Sequence, residues 1–292
     1  MGSLRAARVT KLRIYPVKGL QGSSHNTAFI EPWGFSGDRR WMVVDARGRF
    51  LTQRELHHMA LVSAANTPSG ITLSSPAMGS IEIAFPTPAG EMLDVIVWRD
   101  TVAAAAAGSS ADAWMSSVLG VSCRLVYLAD TKSRQIAPTF GRPGQTVNFA
   151  DGFPVLLVSL SSLDDLNRRL IAPVPIERFR PNIVVEGAPA WEEDRWRQVR
   201  IGGVLLRIVK PCSRCIVTTI DPETGERPHA NEPLAALSKF RRDQSGGAMF
   251  GQNLIPEATG RIAVGDDVEI IETGPSNVRL LGSRWGSKLW RQ

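Results

Sequence analysis

The chain has 292 residues, 43% hydrophobic and 21% charged, enough to bury the core of one large domain or two ordinary ones and unlike a disordered polymer. Its net charge is +6, but the basic residues are scattered in short groups such as Arg178 to Arg180 and Arg241-Arg242, which disfavours a nucleic-acid surface. No apolar run approaches the roughly 20 residues of a membrane-spanning helix, and three cysteines, Cys123, Cys212 and Cys215, are too few for a disulfide scaffold.

The short basic start, Met1 to Arg8, shows no secretory signal, so a cytoplasmic, reducing location without a membrane span is the expectation. From Val9 to Tyr15, apolar Leu12 and Ile14 alternate with Lys11 and Arg13, the pattern of a half-buried strand. Further strands are expected at Thr27 to Ile30, Arg40 to Asp45, Phe50 to Thr52, Ile71 to Leu73, Ser80 to Phe85 and Glu91 to Trp98. After an alanine run, Ser109-Ser110 suggests a cap for a helix over Ala111 to Leu119, and Cys123 to Tyr127 reads as a strand. The polar stretch 129–145 suits a connection between domains.

The second half opens with an apolar strand at Val155 to Ser159. Ser161-Ser162-Leu163-Asp164-Asp165 then resembles a capped start of a helix through Leu170. Strands follow at Asn182 to Glu186, Trp196 to Ile201 and Val204 to Val209, the last two joined at Gly202-Gly203. A helix over Pro233 to Arg241 and strand-like residues from Gly260 to Ile271 complete it. The expected fold is mainly β with a few helices: a barrel-like domain at 8–128, the connection, a second domain at 146–274 and a tail at 275–292.

Reactive chemistry concentrates at Lys210-Pro211-Cys212-Ser213-Arg214-Cys215. The two thiols fit four readings: a zinc half-site, a dithiol redox pair, inert structural thiols, or one thiolate ligating a metal-bearing cofactor. A structural zinc needs four ligands, and only Cys123, His25, His57, His58 and His229 remain to complete it. A redox dithiol belongs at a helix start, whereas Ile216-Val217-Thr218-Thr219-Ile220 is β-branched and favours extended chain. The other two readings stay open. Asp221-Pro222-Glu223-Thr224-Gly225 reads as a turn. Arg178, Arg180 and Asn182 around Pro181 form either a surface loop or an anion clamp, and Lys18 and Asp38-Arg39-Arg40 raise the same question. No Gly-rich phosphate loop is present.

Taken in order, Tyr15-Pro16-Val17-Lys18, Gly37-Asp38-Arg39-Arg40-Trp41, Thr52-Gln53-Arg54, Phe179-Arg180-Pro181-Asn182, Cys212-Ser213-Arg214-Cys215 with Thr218-Thr219 and Asp221 to Gly225, and Phe250-Gly251-Gln252 with Val264-Gly265-Asp266 resemble MOSC-domain proteins. The likeness is to the branch of the mitochondrial amidoxime-reducing component and its bacterial relatives. It covers residues 8 to 272 and implies an N-terminal β-barrel-like domain followed by a MOSC β-barrel domain, with molybdenum cofactor (Mo-molybdopterin) between them. The family's metal ligand falls on Cys215, and Lys18, Arg39, Arg180, Asn182, Ser213 and Arg214 match its cofactor-binding positions, with Arg178 an addition. Asp151 matches an acidic position near the cofactor and is assigned with Cys215 to catalysis.

The implied reaction is reduction of small N-hydroxylated substrates, N–OH to N–H with release of water. Some relatives carry a ferredoxin-like domain, which needs a cysteine cluster. No cysteine follows Cys215, so electrons are expected from an external protein: a reductase, a ferredoxin or a cytochrome b5-like carrier. The membrane-anchoring extension of the mitochondrial relatives is not expected here, and nucleic acid is not an expected partner. The alternative function is a noncatalytic carrier of molybdenum cofactor or sulfur.

Overall fold

A computed structural model describes residues 7–229 and 231–281, so the expected tail at 275–292 lies outside the described residues from 282 onward. The chain starts with β1 (Ala7–Ile14), β2 (Ser23–His25), β3 (Thr27–Glu31), β4 (Gly34–Phe35) and β5 (Trp41–Val44). Then come β6 (Ser63–Thr67), β7 (Gly70–Ser75), β8 (Gly79–Ala84), β9 (Met92–Val97), β10 (Asp100–Ala106), α1 (Ser109–Leu119) and β11 (Arg124–Tyr127). The second half holds β12 (Val155–Ser159), α2 (Leu160–Asn167), β13 (Ile183–Glu186), β14 (Trp196–Ile201), β15 (Val204–Arg214), α3 (Leu234–Phe240), β16 (Ala248–Pro256), β17 (Gly260–Ala263) and β18 (Asp267–Thr273).

The protein is mainly β, as expected. Seven strands form a closed barrel in the order β13-β12-β16-β15-β14-β18-β1, and β1 closes it by pairing back onto β13, Leu12 opposite Ile183. Only β12 and β13 run parallel, and α2 lies on the crossover between them. Period-2 burial drives closure, because inward residues such as Leu12, Leu157, Ile183, Trp196, Val199, Leu206 and Leu254 share one core. Each contributes roughly 1.5–3 kcal/mol of apolar burial. On the outside, α2 and α3 lay Leu163, Leu166 and Leu237 over Val158, Val184 and Phe250. The first strand of the chain is thus a stave of a barrel whose other six come from the second half.

β2 extends the barrel sheet by pairing with β1, and the other strands form a sheet β5-β11-β10-β9 and two three-stranded sheets, β6-β7-β8 and β17-β3-β4, the last joining N-terminal β3 and β4 to β17 of the second half. Ala111, Met115 and Leu119 of α1 share a core with Trp41, Leu73, Ile83 and Leu125. The alanine run belongs to β10, where pairing with β9 and β11 overrides its helical preference.

Several expected boundaries move. Phe50 to Thr52 makes only an isolated bridge from Phe50 to Val44. The α1 cap position is Gly108, without a side-chain cap bond, so the expected Ser109-Ser110 cap is replaced by helical residues. In α2 the start is Leu160, and Ser162 faces inward to donate to Glu193 at 2.9 Å; the helix stops at Asn167 rather than Leu170. β15 runs on through Arg214, so Cys212 lies on the strand rather than after it, and Cys215 stands just past its end. Ile216–Thr219 forms a 3-10 turn, against its β-branched preference, with the Thr218 and Thr219 hydroxyls bonded back to the Cys215 and Ile216 carbonyls at 2.9 and 2.7 Å.

Candidate active site

A cavity of about 170 Å³ opens where β15 ends against the loop after β1, the segment 50–54 and the segment 150–153. Two bulges aim β15 into it. Opposite Pro211 to Ser213 the partner strand β16 carries one extra residue, and Gly251, at φ 80°, absorbs it. A second register shift falls between Ile208 and Lys210. Cys212 and Arg214 then line the cavity, while Ser213 is exposed on the other face, close to Gly247. The expected place of Ser213 in the cofactor site is therefore not where its side chain lies, because alternation along the strand sends it outward.

Cys215 follows the strand at the start of the 3-10 turn and also lines the cavity; both thiols are free. Each has an arginine. Arg214 Nη1 donates to Cys212 Sγ at 2.9 Å, and Arg54 Nη2 donates to Cys215 Sγ at 3.4 Å. Lys210 lies elsewhere, its ammonium 5.3 Å from the Phe140 ring centroid.

The inner wall is cationic and rests on Tyr15. The guanidinium groups of Arg39 and Arg180 lie 4.3 and 4.4 Å from its ring centroid. Both arginines have left-handed backbones, φ 46° and 53°, and strain of this kind collects at functional sites. Asp38 is buried, accepts Arg39 Nη1 at 2.6 Å and the Tyr15 amide at 2.8 Å, and burial raises its carboxyl against the pull of Arg39. Asn182, 1% exposed, spends its side chain within the protein. It donates to the Arg13 carbonyl and Asp38 at 3.2 and 3.1 Å and accepts from Arg39 and the Leu156 amide at 3.1 and 3.2 Å. Asn182 therefore holds Arg39 in place. Among the described residues the Arg180 guanidinium has no hydrogen-bond or ion-pair partner, and burial lowers it to about 10.

The mouth is built differently. Lys18, 8% exposed, donates to the Phe149 carbonyl at 2.8 Å and to Asp151 Oδ1 at 2.5 Å; burial lowers its ammonium while Asp151 opposes the shift. Crowding around Asp151 acts to raise its carboxyl, but Lys18 and the Trp98 indole N–H, 3.1 Å away, more than reverse this and hold it well below the usual range. Its side chain is 69% exposed, so water screens the pair and it adds little to stability. Arg134 fixes this loop from behind, donating to the carbonyls of Asn148 and Asp151 at 2.8 and 3.0 Å and to that of Ala150.

The structure brings Lys18, Arg39, Asp151, Arg180, Asn182, Arg214 and Cys215 together around one cavity. Arg178 is elsewhere: it pairs with Asp221 at 2.9 Å and donates to the Thr219 carbonyl at 3.2 Å, fastening the Asp221 to Gly225 turn rather than clamping a ligand. Missed from the sequence were Arg54 and Trp98. Arg54 stood within the quoted Thr52-Gln53-Arg54 motif, but only the fold places it on Cys215; Trp98 carried no local signal.

The MOSC domain model matches residues 144–269 and the MOSC N-terminal beta barrel domain model matches residues 6–122. The mitochondrial amidoxime-reducing component 1 of Mus musculus is 35% identical over 90% of this chain and 82% of its own length. That of Homo sapiens is 34% identical over the same shares. A solved structure, the YUAD protein from Bacillus subtilis, aligns over 90% of this chain and 94% of its own at 13% identity with a TM-score of 0.40. This chain belongs to the MOSC-domain family with a MOSC N-terminal β-barrel domain, in the branch of the amidoxime-reducing components.

Proposed function

We propose that this protein reduces N-hydroxylated compounds, such as amidoximes, hydroxylamines or hydroxylated base analogues, using molybdenum cofactor held in the cavity and electrons from a separate donor protein. The observation that carries the reading is that one cavity is lined both by the Cys215 thiol and by an Arg180 guanidinium with no hydrogen-bond or ion-pair partner among the described residues. The donor set fits. No group of three or more His, Cys, Asp or Glu side chains among the described residues is placed to hold a metal ion, so a metal at Cys215 would bring its other ligands with it. The names of the relatives support the substrate class.

In this reading Cys215 is the protein's ligand to molybdenum, and Arg180, backed by Arg39, receives the cofactor's phosphate. Bound there, the cofactor supplies two-electron chemistry at a sulfur-ligated metal. The net reaction balances as N–OH plus two electrons and two protons giving N–H plus water. Lys18 keeps Asp151 ionised at neutral pH, so Asp151 accepts a hydrogen bond from the substrate's N–H or O–H and orients it, and does not serve as the acid. Of the three N–H bonds on Lys18, two are used by Phe149 and Asp151, leaving one for a ligand.

The test is molybdenum content, fluorescence of the released pterin and turnover of benzamidoxime with an artificial donor. Cys215→Ser is expected to abolish turnover; full activity with intact cofactor in that variant would overturn the assignment. Bound cofactor without turnover would favour the carrier, and turnover on NADH or NADPH alone would remove the separate donor.

A further inference from the structure

Trp98 and Arg99 form the two-residue tip between β9 and β10, and Trp98 has φ 57° while Arg99 does not have positive φ. In a hairpin turn with positive φ at its first position, glycine is the usual occupant. A tryptophan there is strained, and it stays 45% exposed. What it does gain is contact with the cavity mouth. Its indole N–H donates to Asp151 Oδ1 at 3.1 Å, the Arg54 guanidinium lies 5.0 Å from its ring, and the Phe50 ring meets it edge-on at 5.0 Å. The hairpin is tied to the same loop again by Arg134, which donates to Asp100 Oδ2 at 2.7 Å as well as to the Asp151 carbonyl.

Arg54 needs such a support. Its guanidinium makes one hydrogen bond among the described residues, to Cys215 Sγ, and forms no direct ion pair there, although its charge reaches the Asp151 carboxylate. We propose that Trp98 is a positioning residue, its ring fixing Arg54 against the Cys215 sulfur and its N–H fixing Asp151 at the mouth. A hydrogen bond to a ligating sulfur tunes the metal it holds, so the catalytic consequence rests on the function proposed above, while the geometry does not.

The test uses the full chain as purified. Trp98→Gly suits the turn, Trp98→Asn provides a second variant that tolerates positive φ, and Trp98→Phe keeps a ring over Arg54. If molybdenum is present, Trp98→Gly, Trp98→Asn and Arg54→Met are expected to shift the Mo(V) paramagnetic resonance spectrum alike, and Trp98→Phe to retain it. An Arg54→Met shift that neither the Gly nor the Asn variant reproduces, or no shift in any of them, would overturn the inference. If the chain carries no molybdenum, the proposed function fails separately and alkylation of Cys215 by iodoacetamide at one pH decides the geometry, in a Cys212→Ser background. Trp98→Gly and Arg54→Met should then each change the rate by about threefold or more, and the double variant no further; unchanged or simply multiplied rates would refute the coupling.

Discussion

Glu193, 1% exposed, accepts a hydrogen bond from Ser162 at 2.9 Å and neighbours Asp194, which pairs with Arg241 at 2.7 Å. Burial pushes the Glu193 carboxyl up to about 7 from its ordinary 4.5; Ser162 opposes the rise and the Asp194 charge adds to it. Between those values the folded chain keeps a proton that the unfolded chain has released. This group's contribution is therefore fully present below 4.5 and lost as pH rises through 7. Glu193→Gln keeps an acceptor for Ser162 without the buried charge. Urea midpoints at pH 5 and pH 8 should differ less in the variant than in the parent, through a gain at pH 8; an unchanged difference would refute the assignment. Burial of this carboxylate was not legible in the sequence, because Glu192-Glu193-Asp194 reads as an exposed acidic run. Cys215, Lys18 and Arg180 were legible, since they stand in short motifs whose order along the chain is specific. Ser213 misled because motif membership does not say which face of a strand a side chain takes.

Among the elements, β15 and β16 set the site. At Gly251 an added Cβ would meet the Val158 side chain at 2.8 Å and the Leu157 carbonyl at 2.9 Å, and φ is 80°. Gly251→Ala is expected to cost about 1–3 kcal/mol through strain and overpacking and to weaken cofactor retention by re-aiming Cys212 and Arg214. Denaturant unfolding and metal content check this, and a variant with the parent's midpoint would show that the bulge relaxes freely. Strand existence was readable wherever apolar and polar residues alternate, as in β1 and β14. The bulges were not, because a register shift belongs to two strands at once and leaves no mark on either alone. The 3-10 turn at Ile216–Thr219 was missed for a related reason: β-branched residues prefer extended chain, but hydroxyl bonds to the Cys215 and Ile216 carbonyls satisfy a turn instead.

For the whole molecule, the decisive feature is that β1 closes the barrel. The expected second domain, 146–274, contains six of the seven staves; without β1, the edges of β13 and β18 lose their partner and the core loses Leu12 and Ile14. A piece spanning 146–281 should therefore fail to fold alone, seen as insolubility or an absent cooperative unfolding transition, and a soluble, cooperative piece would contradict this. Alternation predicted that β1 was half-buried but not its partner, because pairing across 170 or more residues has no local signal.

Synthesis runs from residue 7 toward residue 268, so β1 emerges long before its partners at 183–186 and 267–268. At about 5–20 residues per second, the 261 residues between positions 7 and 268 take roughly 13–50 seconds. Until those partners arrive only the Leu12–Ile14 end of β1 can pair, with β2, and the rest is an open strand edge, the kind of segment that recruits its like from neighbouring chains. Arg8, Lys11 and Arg13, spaced along it, supply the charge repulsion that discourages such pairing, so these cations guard the nascent chain before Lys11 and Arg13 ever meet Glu177.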